Sequence, residues 1–151
     1  MTKAIKLLTA LPQAQRERLM ELAEEVSFPE DTRIFEAGGT ADRFWVIRSG
    51  AVHLEQEVTA RKRVTVGTLG AGDLLGWSWL FPPYRWDFGS VAFSNVRAYE
   101  FDGPSVLALC VEDPLLGLSL VRLVAEILAH RLEITRGKLM EQYAVSRRSP
   151  L

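Results

Sequence analysis

The chain has 151 residues, a length that fits one domain with a core of its own. Nearly half of it is apolar and a quarter charged, with a formal net charge of -1, so there is no general electrostatic pull toward nucleic acid or an anionic membrane. No apolar run approaches the ~18 residues needed to span a bilayer, and Cys110 is the single cysteine, which excludes an intrachain disulfide and leads us to expect a reducing, cytoplasmic setting.

The first predicted element is a helix over "PQAQRERLMELAEEV", with Pro12 at its start, Leu19, Leu22, Ala23 and Val26 on one face, and Pro29 ending it. From Thr32 to Asp102 the text changes to short β-branched or aromatic runs bounded by Gly, Asp and Ser: "TRIFEAGG", "RFWVIRSG", "AVHLEQEV", "RKRVTVGTLG", "SVAFSNVRAYEF". Val52 and Leu54 alternate with His53 and Glu55, and Val64 and Val66 with Thr65. Closely spaced strands of this kind predict an antiparallel sandwich or barrel, with tight turns at Gly38-Gly39 and Ser49-Gly50.

After Phe101 the pattern is helical again. Asp102 and Pro104 open one helix and Asp113-Pro114 a second, long one. Along the long helix Leu118, Val121, Ala125, Leu128, Leu132, Thr135, Leu139 and Gln142 step by threes and fours, a heptad seam; Leu120, Leu123, Val124, Ile127 and Ile134 form a second apolar stripe. One stripe is expected to pack on the β-body and the other on a second copy of the chain. The predicted organisation is a single mostly-β domain with flanking helices (α+β): a helical part over 1–28, a β-roll over 29–103 and C-terminal helices over 104–144.

Sequence signals for catalysis are missing. His53 and His130 are the two histidines, and there is no HExxH or CxxC pair, nucleophile elbow or phosphate-cradling P-loop. No enzyme activity and no metal site are expected. Cys110, in the apolar run "VLALC", reads as a buried, inert thiol.

The order of elements, and most specifically "RIFEAGGTADRFWVIRSGAVHLEQE" (Arg33 to Glu57), resembles the cyclic-nucleotide-binding domain of the catabolite-activator (cAMP receptor) superfamily. The resemblance runs through "GTLGAGDLLG", where the family carries its phosphate-binding cassette, to "VRLVAEILAHRLEITRGKLMEQY", which looks like the family's dimerising C-helix. It implies a small-ligand pocket inside the roll, a cyclic nucleotide or related molecule as the ligand, and a homodimer through the C-terminal helix. Relatives continue into a helix-turn-helix domain; the sequence ends at Leu151, so direct DNA binding is not expected and output through a protein partner is.

Within the resemblance, Gly72 and Asp73 stand at the cassette's Gly-Glu, followed by Leu74 and Leu75. Asp73 would either accept from a ribose hydroxyl or cap a short helix over Leu74–Trp77. The family's closing Arg-Ser-Ala falls near "WDFG", Trp86 to Gly89, which contains no arginine; Arg85 is the nearest substitute or else a surface residue, and Asp87 would repel an anion if it faced inward. On the long helix Thr135 matches the hydroxyl that touches the base, and Arg136 follows it. These departures make cAMP a doubtful ligand. They leave two readings open: a sensor with a reshaped pocket bounded by Gly72, Asp73, Arg85 and Thr135, or a ligand-free assembly module whose pocket is filled by Trp77, Trp79 or Phe88.

Overall fold

The computed structural model describes residues 4–148. Two short helices, α1 (Leu7–Ala10) and α2 (Gln13–Met20), begin the chain, burying Leu7 and Leu19. The helix expected as far as Val26 ends at Met20, where the N–H groups of Leu22 and Ala23 turn back to the carbonyls of Leu19 and Met20 at 3.0 and 3.1 Å. Glu24–Phe28 is instead a strand, β1, antiparallel to β8 (Val96–Asp102). Val26 and Phe28 pair with Ala98 and Val96, so pairing and burial override the helical preference of Glu24 and Glu25. The roll therefore starts at residue 24, not 29.

The remaining strands are β2 (Arg33–Phe35), β3 (Arg43–Ser49), β4 (Val52–Thr59), β5 (Lys62–Leu69), β6 (Leu74–Leu75) and β7 (Gly89–Ala92). They form two four-stranded antiparallel sheets, in the orders β1-β8-β3-β6 and β2-β7-β4-β5, the expected roll. Its turns use glycine where φ is positive, at Gly38 (φ +85°) and Gly50 (φ +91°); at Gly50 a side chain would also meet the Asn95 carbonyl at 2.3 Å.

Strand β3 serves two cores because its side chains alternate. Phe44 and Val46 point to the helices, with Phe44 stacked between Trp79 and Phe101 at ring separations of 4.6 and 4.7 Å. Trp45 and Ile47 point into the roll, toward Val52, Leu75, Trp86 and Ala98.

Helix α3 (Gly103–Glu112) is capped as predicted: Asp102 Oδ2 accepts from the Ser105 N–H at 3.0 Å, and a proline lies in the first turn. Asp113 Oδ1 accepts from the Leu116 N–H at 3.2 Å at the start of α4 (Pro114–Arg148). On α4, Leu116, Leu120, Val124 and Ile127 are buried, whereas Ile134, expected in the same stripe, is exposed: beyond Arg131 nearly every described side chain faces outward. Leu118, Val121, Leu132 and Leu139 of the heptad seam are exposed. Cys110 is half-buried rather than fully enclosed; burial and the nearby Asp113 charge push its thiol pKa up, away from the reactive thiolate. No helix among the described residues is long and apolar enough to cross a membrane.

Candidate functional site

The stretch from Gly72 to Trp86 folds as a series of tight, well-tied turns. Gly72 has φ +85° and donates its N–H to the Ile47 carbonyl at 2.7 Å. Asp73 closes the turn by accepting from the Gly70 N–H at 2.8 Å, and its other oxygen takes the Lys6 ammonium at 2.6 Å. It thus neither caps a following helix nor faces the roll interior. Leu74–Leu75, expected as the start of that helix, is the strand β6; helical geometry is confined to a single turn, Ser78–Leu80. Leu74 and Leu75 are fully buried on opposite faces, one in each core, because a strand alternates.

The tryptophans divide the same way. Trp79 enters the helix-side core and donates its indole N–H to the Gly76 carbonyl at 3.3 Å. Trp86 enters the roll. The main chain reverses at Phe81–Tyr84, where the Tyr84 N–H bonds to the Phe81 carbonyl at 3.2 Å. It then runs antiparallel to the turn after β2: Ala41 N–H to Tyr84 O at 2.7 Å, Trp86 N–H to Gly39 O at 2.9 Å, Gly38 N–H to Trp86 O at 2.8 Å. This small ladder fixes the Trp86 indole inside, 6 % exposed, stacked on Phe35 at 4.1 Å. Its far edge lies against Gly76, where a methyl group would stand 2.8 and 2.9 Å from ring carbons. The filling of the roll thus comes from Trp86, not from Trp77, Trp79 or Phe88.

The expected site residues lie on three segments: Gly72–Leu75 on a turn and β6, Arg85 and Trp86 on the short ladder, and Thr135 and Arg136 on α4. Arg85 is exposed and donates to the Gly38 carbonyl at 3.1 Å, outside the roll, and Asp87 is also exposed, so it opposes no anion within. Thr135 and Arg136 lie on the exposed part of α4, the Thr135 hydroxyl bonded to the Arg131 carbonyl at 2.9 Å. Of the eight, Trp86 lines an open recess, a space of about 360 Å3 at the mouth of the roll. Phe28, Phe35 and Trp45 form its other aromatic walls, and Glu36, Asp42, Arg43 and Glu100 stand around it.

One residue that matters here carries no motif. Arg131 of α4 is largely buried and donates from Nη2 to the Leu74 carbonyl, joining the long helix to β6. Burial lowers its pKa and the Asp73 carboxylate opposes that shift. A sequence signal exists: Leu120, Val124, Ile127 and Arg131 step by four, three and four, so the arginine continues the buried stripe. Ser90 is a second such residue, fully buried with its hydroxyl unpartnered. Among the described residues no group of histidine, cysteine or carboxylate side chains is placed to hold a metal ion.

Comparison with known proteins agrees with this architecture. The family described as cyclic nucleotide-binding domain matches residues 25–113, more than half of the chain. A "CRP-like cAMP-activated global transcriptional regulator" of Mycobacterium tuberculosis is 24% identical over 123 residues, which are 82% of this chain and 53% of that protein. The chain therefore spans about half the length of the curated relatives it matches. Among solved structures, a cyclic nucleotide-binding protein of Geobacter metallireducens is 26% identical with a TM-score of 0.73, covering 84% of this chain and 92% of that one. The Thermus thermophilus catabolite activator protein shares the fold at a TM-score of 0.73 and 22% identity, over 92% of this chain and 63% of its own. With the roll and the long terminal helix in place and the family model matching residues 25–113, the chain belongs to the cyclic nucleotide-binding domain family.

Proposed function

We propose that this domain is a ligand sensor that pairs through α4 with a second copy of itself and takes a small molecule other than cAMP at the mouth of its roll. The observation that carries the reading is the placement of Trp86. Its indole occupies the roll interior, while Arg85, next to it in sequence, sits outside on a main-chain carbonyl. A cyclic phosphate needs a cation or a cluster of free N–H groups at its binding point. The open aromatic recess beside Trp86 is the alternative place for a ligand.

The pairing is supported by the exposed seam on α4, where Leu132 is 60% and Leu139 62% exposed, and by its heptad spacing. Binding at the roll reaches α4 through β6 and the Arg131–Leu74 bond. Output through a protein partner fits a chain whose net charge of -1 offers DNA no general attraction. The lone thiol fits a cytoplasmic setting.

The packing of Trp86 also favours a second reading, a ligand-free assembly module. A thermal-shift screen against cyclic mono- and dinucleotides, other nucleotides and small organic ions separates the two, since a true ligand stabilises by mass action. The sensor reading expects a saturable rise in melting temperature with a ligand other than cAMP. Low-micromolar cAMP affinity by calorimetry overturns the exclusion of cAMP, and silence throughout the screen leaves the assembly module.

A further inference from the structure

Trp45, Trp79 and Trp86 are buried, and a buried indole N–H normally finds an acceptor. Trp45 donates to Glu100 Oε2 at 2.8 Å and Trp79 to the Gly76 carbonyl at 3.3 Å. The Trp86 indole N–H has no acceptor among the described residues. The side-chain polar atoms there that are both unpartnered and sealed from solvent are Gln15 Oε1 and Ser90 Oγ. The Trp86 nitrogen is not one of them, so it keeps an opening to solvent. The setting of the ring shows where that opening lies. A methyl group on Gly39 would stand 3.5 Å from Trp86 Cδ1, the carbon bonded to the nitrogen, whereas one on Gly76 would meet Cζ3 and Cη2 at the opposite edge. Gly39 lines the recess at the mouth of the roll, so the edge that carries the N–H is the one turned toward it.

The charged groups around the recess are spent on one another. Arg43 reaches Glu100 Oε1 at 3.2 Å and Asp42 Oδ1 at 3.3 Å, and Arg33 Nε stands 3.4 Å from Glu36 Oε1. A cation would have to take a carboxylate from its arginine, and an anion would face all three carboxylates, Glu36, Asp42 and Glu100. Thr40, the residue after Gly39, also lines the recess, and its hydroxyl has no partner among the described residues. The uncommitted polar chemistry is therefore one fixed N–H donor and one hydroxyl that can donate or accept. A few placed polar groups in an aromatic wall are what orients a small ligand, and the main-chain bonds of Gly38 and Gly39 to Trp86 hold this donor in place.

We infer that this recess binds a small uncharged amide, whose carbonyl oxygen accepts from the Trp86 indole N–H and whose own N–H donates to the Thr40 hydroxyl. This assignment rests on the sensor reading for its meaning, and it names the ligand class that reading leaves open.

The test is an NMR titration of the whole chain with butyramide, butyrate and butylammonium, which share a carbon chain and differ in charge. Indole and main-chain N–H resonances are followed, and the indole signal lost in Trp86→Phe gives the assignment. The expected result is a saturable downfield shift of the Trp86 indole N–H with butyramide, half complete at about 1–50 mM, the range for a ligand of so few atoms. The main-chain signals of Gly39 and Thr40 should move with it, and neither ion should give a saturable response. Trp86→Phe keeps an aromatic ring on Phe35, and Thr40→Val keeps the size of a half-buried side chain. Each should weaken butyramide binding at least about threefold, read from the Gly39 signal; if Trp86→Phe does not fold, Thr40→Val and the two ions carry the test. No saturable shift with butyramide, an equal response to either ion, or unchanged affinity in either folded variant overturns the assignment. If butyramide is silent while a molecule of the thermal-shift screen binds, the amide assignment falls and the sensor reading stands; if nothing binds, both fall.

Discussion

The guanidinium of Arg131, midway along the terminal helix, donates to the main-chain carbonyl of Leu74, at the strand that leads into the aromatic stretch. Most of the described helix surface beyond this point is exposed, so the bond ties α4 to the β-body near the end of its buried stripe. Arg131→Met keeps much of the apolar stem and removes the donor. We expect a loss of about 1–2 kcal/mol in urea denaturation, with faster amide exchange along the helix around residue 131. Arg131→Lys should recover part of it, because an ammonium lacks the planar fork. Unchanged exchange in Arg131→Met would show that the helix is seated by its apolar stripe alone.

Gly76 and Trp86 form the second coupled pair. Gly76 has φ +89°, and the indole lies where its Cβ would be. Gly76→Ala therefore carries both a backbone penalty and a collision with a packed ring, a combined cost of about 2 kcal/mol or more. Trp86→Leu removes the collision and leaves the backbone term. In a double-mutant cycle the two substitutions should couple by about 1 kcal/mol, with the Trp86→Leu background tolerating alanine better. Additive losses would place the indole elsewhere in solution.

These pairs also show how much of the molecule is legible in its sequence. Strands with glycine turns, the Asp102 cap and the two-striped helix follow from local patterns, and each is present. Glu24–Phe28 reads wrongly as helix because its five residues suit one until Val96 and Ala98 are there to pair with. The site is less legible. Its cassette residues, Gly72 and Asp73, are used on turns and on Lys6, and the aromatic side of the recess comes from Phe28, Phe35, Trp45 and Trp86, on four different segments of the chain. No spacing rule links them; the sheet register does.

Acid stability should carry the mark of the α3 cap. The Ser105 hydroxyl donates to Asp102 Oδ2 at 2.6 Å and the Ser105 N–H at 3.0 Å, and these bonds, helped by the Arg43 charge against a small opposing desolvation, hold the carboxyl below its ordinary range. A carboxyl with a depressed folded pKa contributes stability that is complete above the unfolded value and fades as pH falls through the folded one. Ser105→Ala should raise the Asp102 pKa, measured by carbon NMR of the carboxyl, and shift that fading to higher pH. Asp102→Ala should remove it and cost about 1 kcal/mol at neutral pH as a lost cap. An Asp102 titration that Ser105→Ala leaves unmoved would assign the depression to the Ser105 main-chain N–H, which the variant keeps, rather than to the hydroxyl.

The last prediction concerns the seam. Leu118, Val121, Leu132 and Leu139 recur on one face of α4 at heptad spacing and are exposed, whereas the stripe that seats the helix is separate and ends at Arg131. A substitution in the outer part of the seam should therefore change association without touching the monomer's core. Leu132→Glu combined with Leu139→Glu puts like charges face to face in a parallel pair and removes two apolar contacts from each helix. Sedimentation velocity should show a dimer for the unaltered chain and a monomer for the variant. Near-ultraviolet circular dichroism from the buried Trp45, Trp79 and Trp86 should be the same for both. A concentration-independent monomer in the unaltered chain, or a dimer that survives both glutamates, would mean that α4 does not pair with its copy along this face.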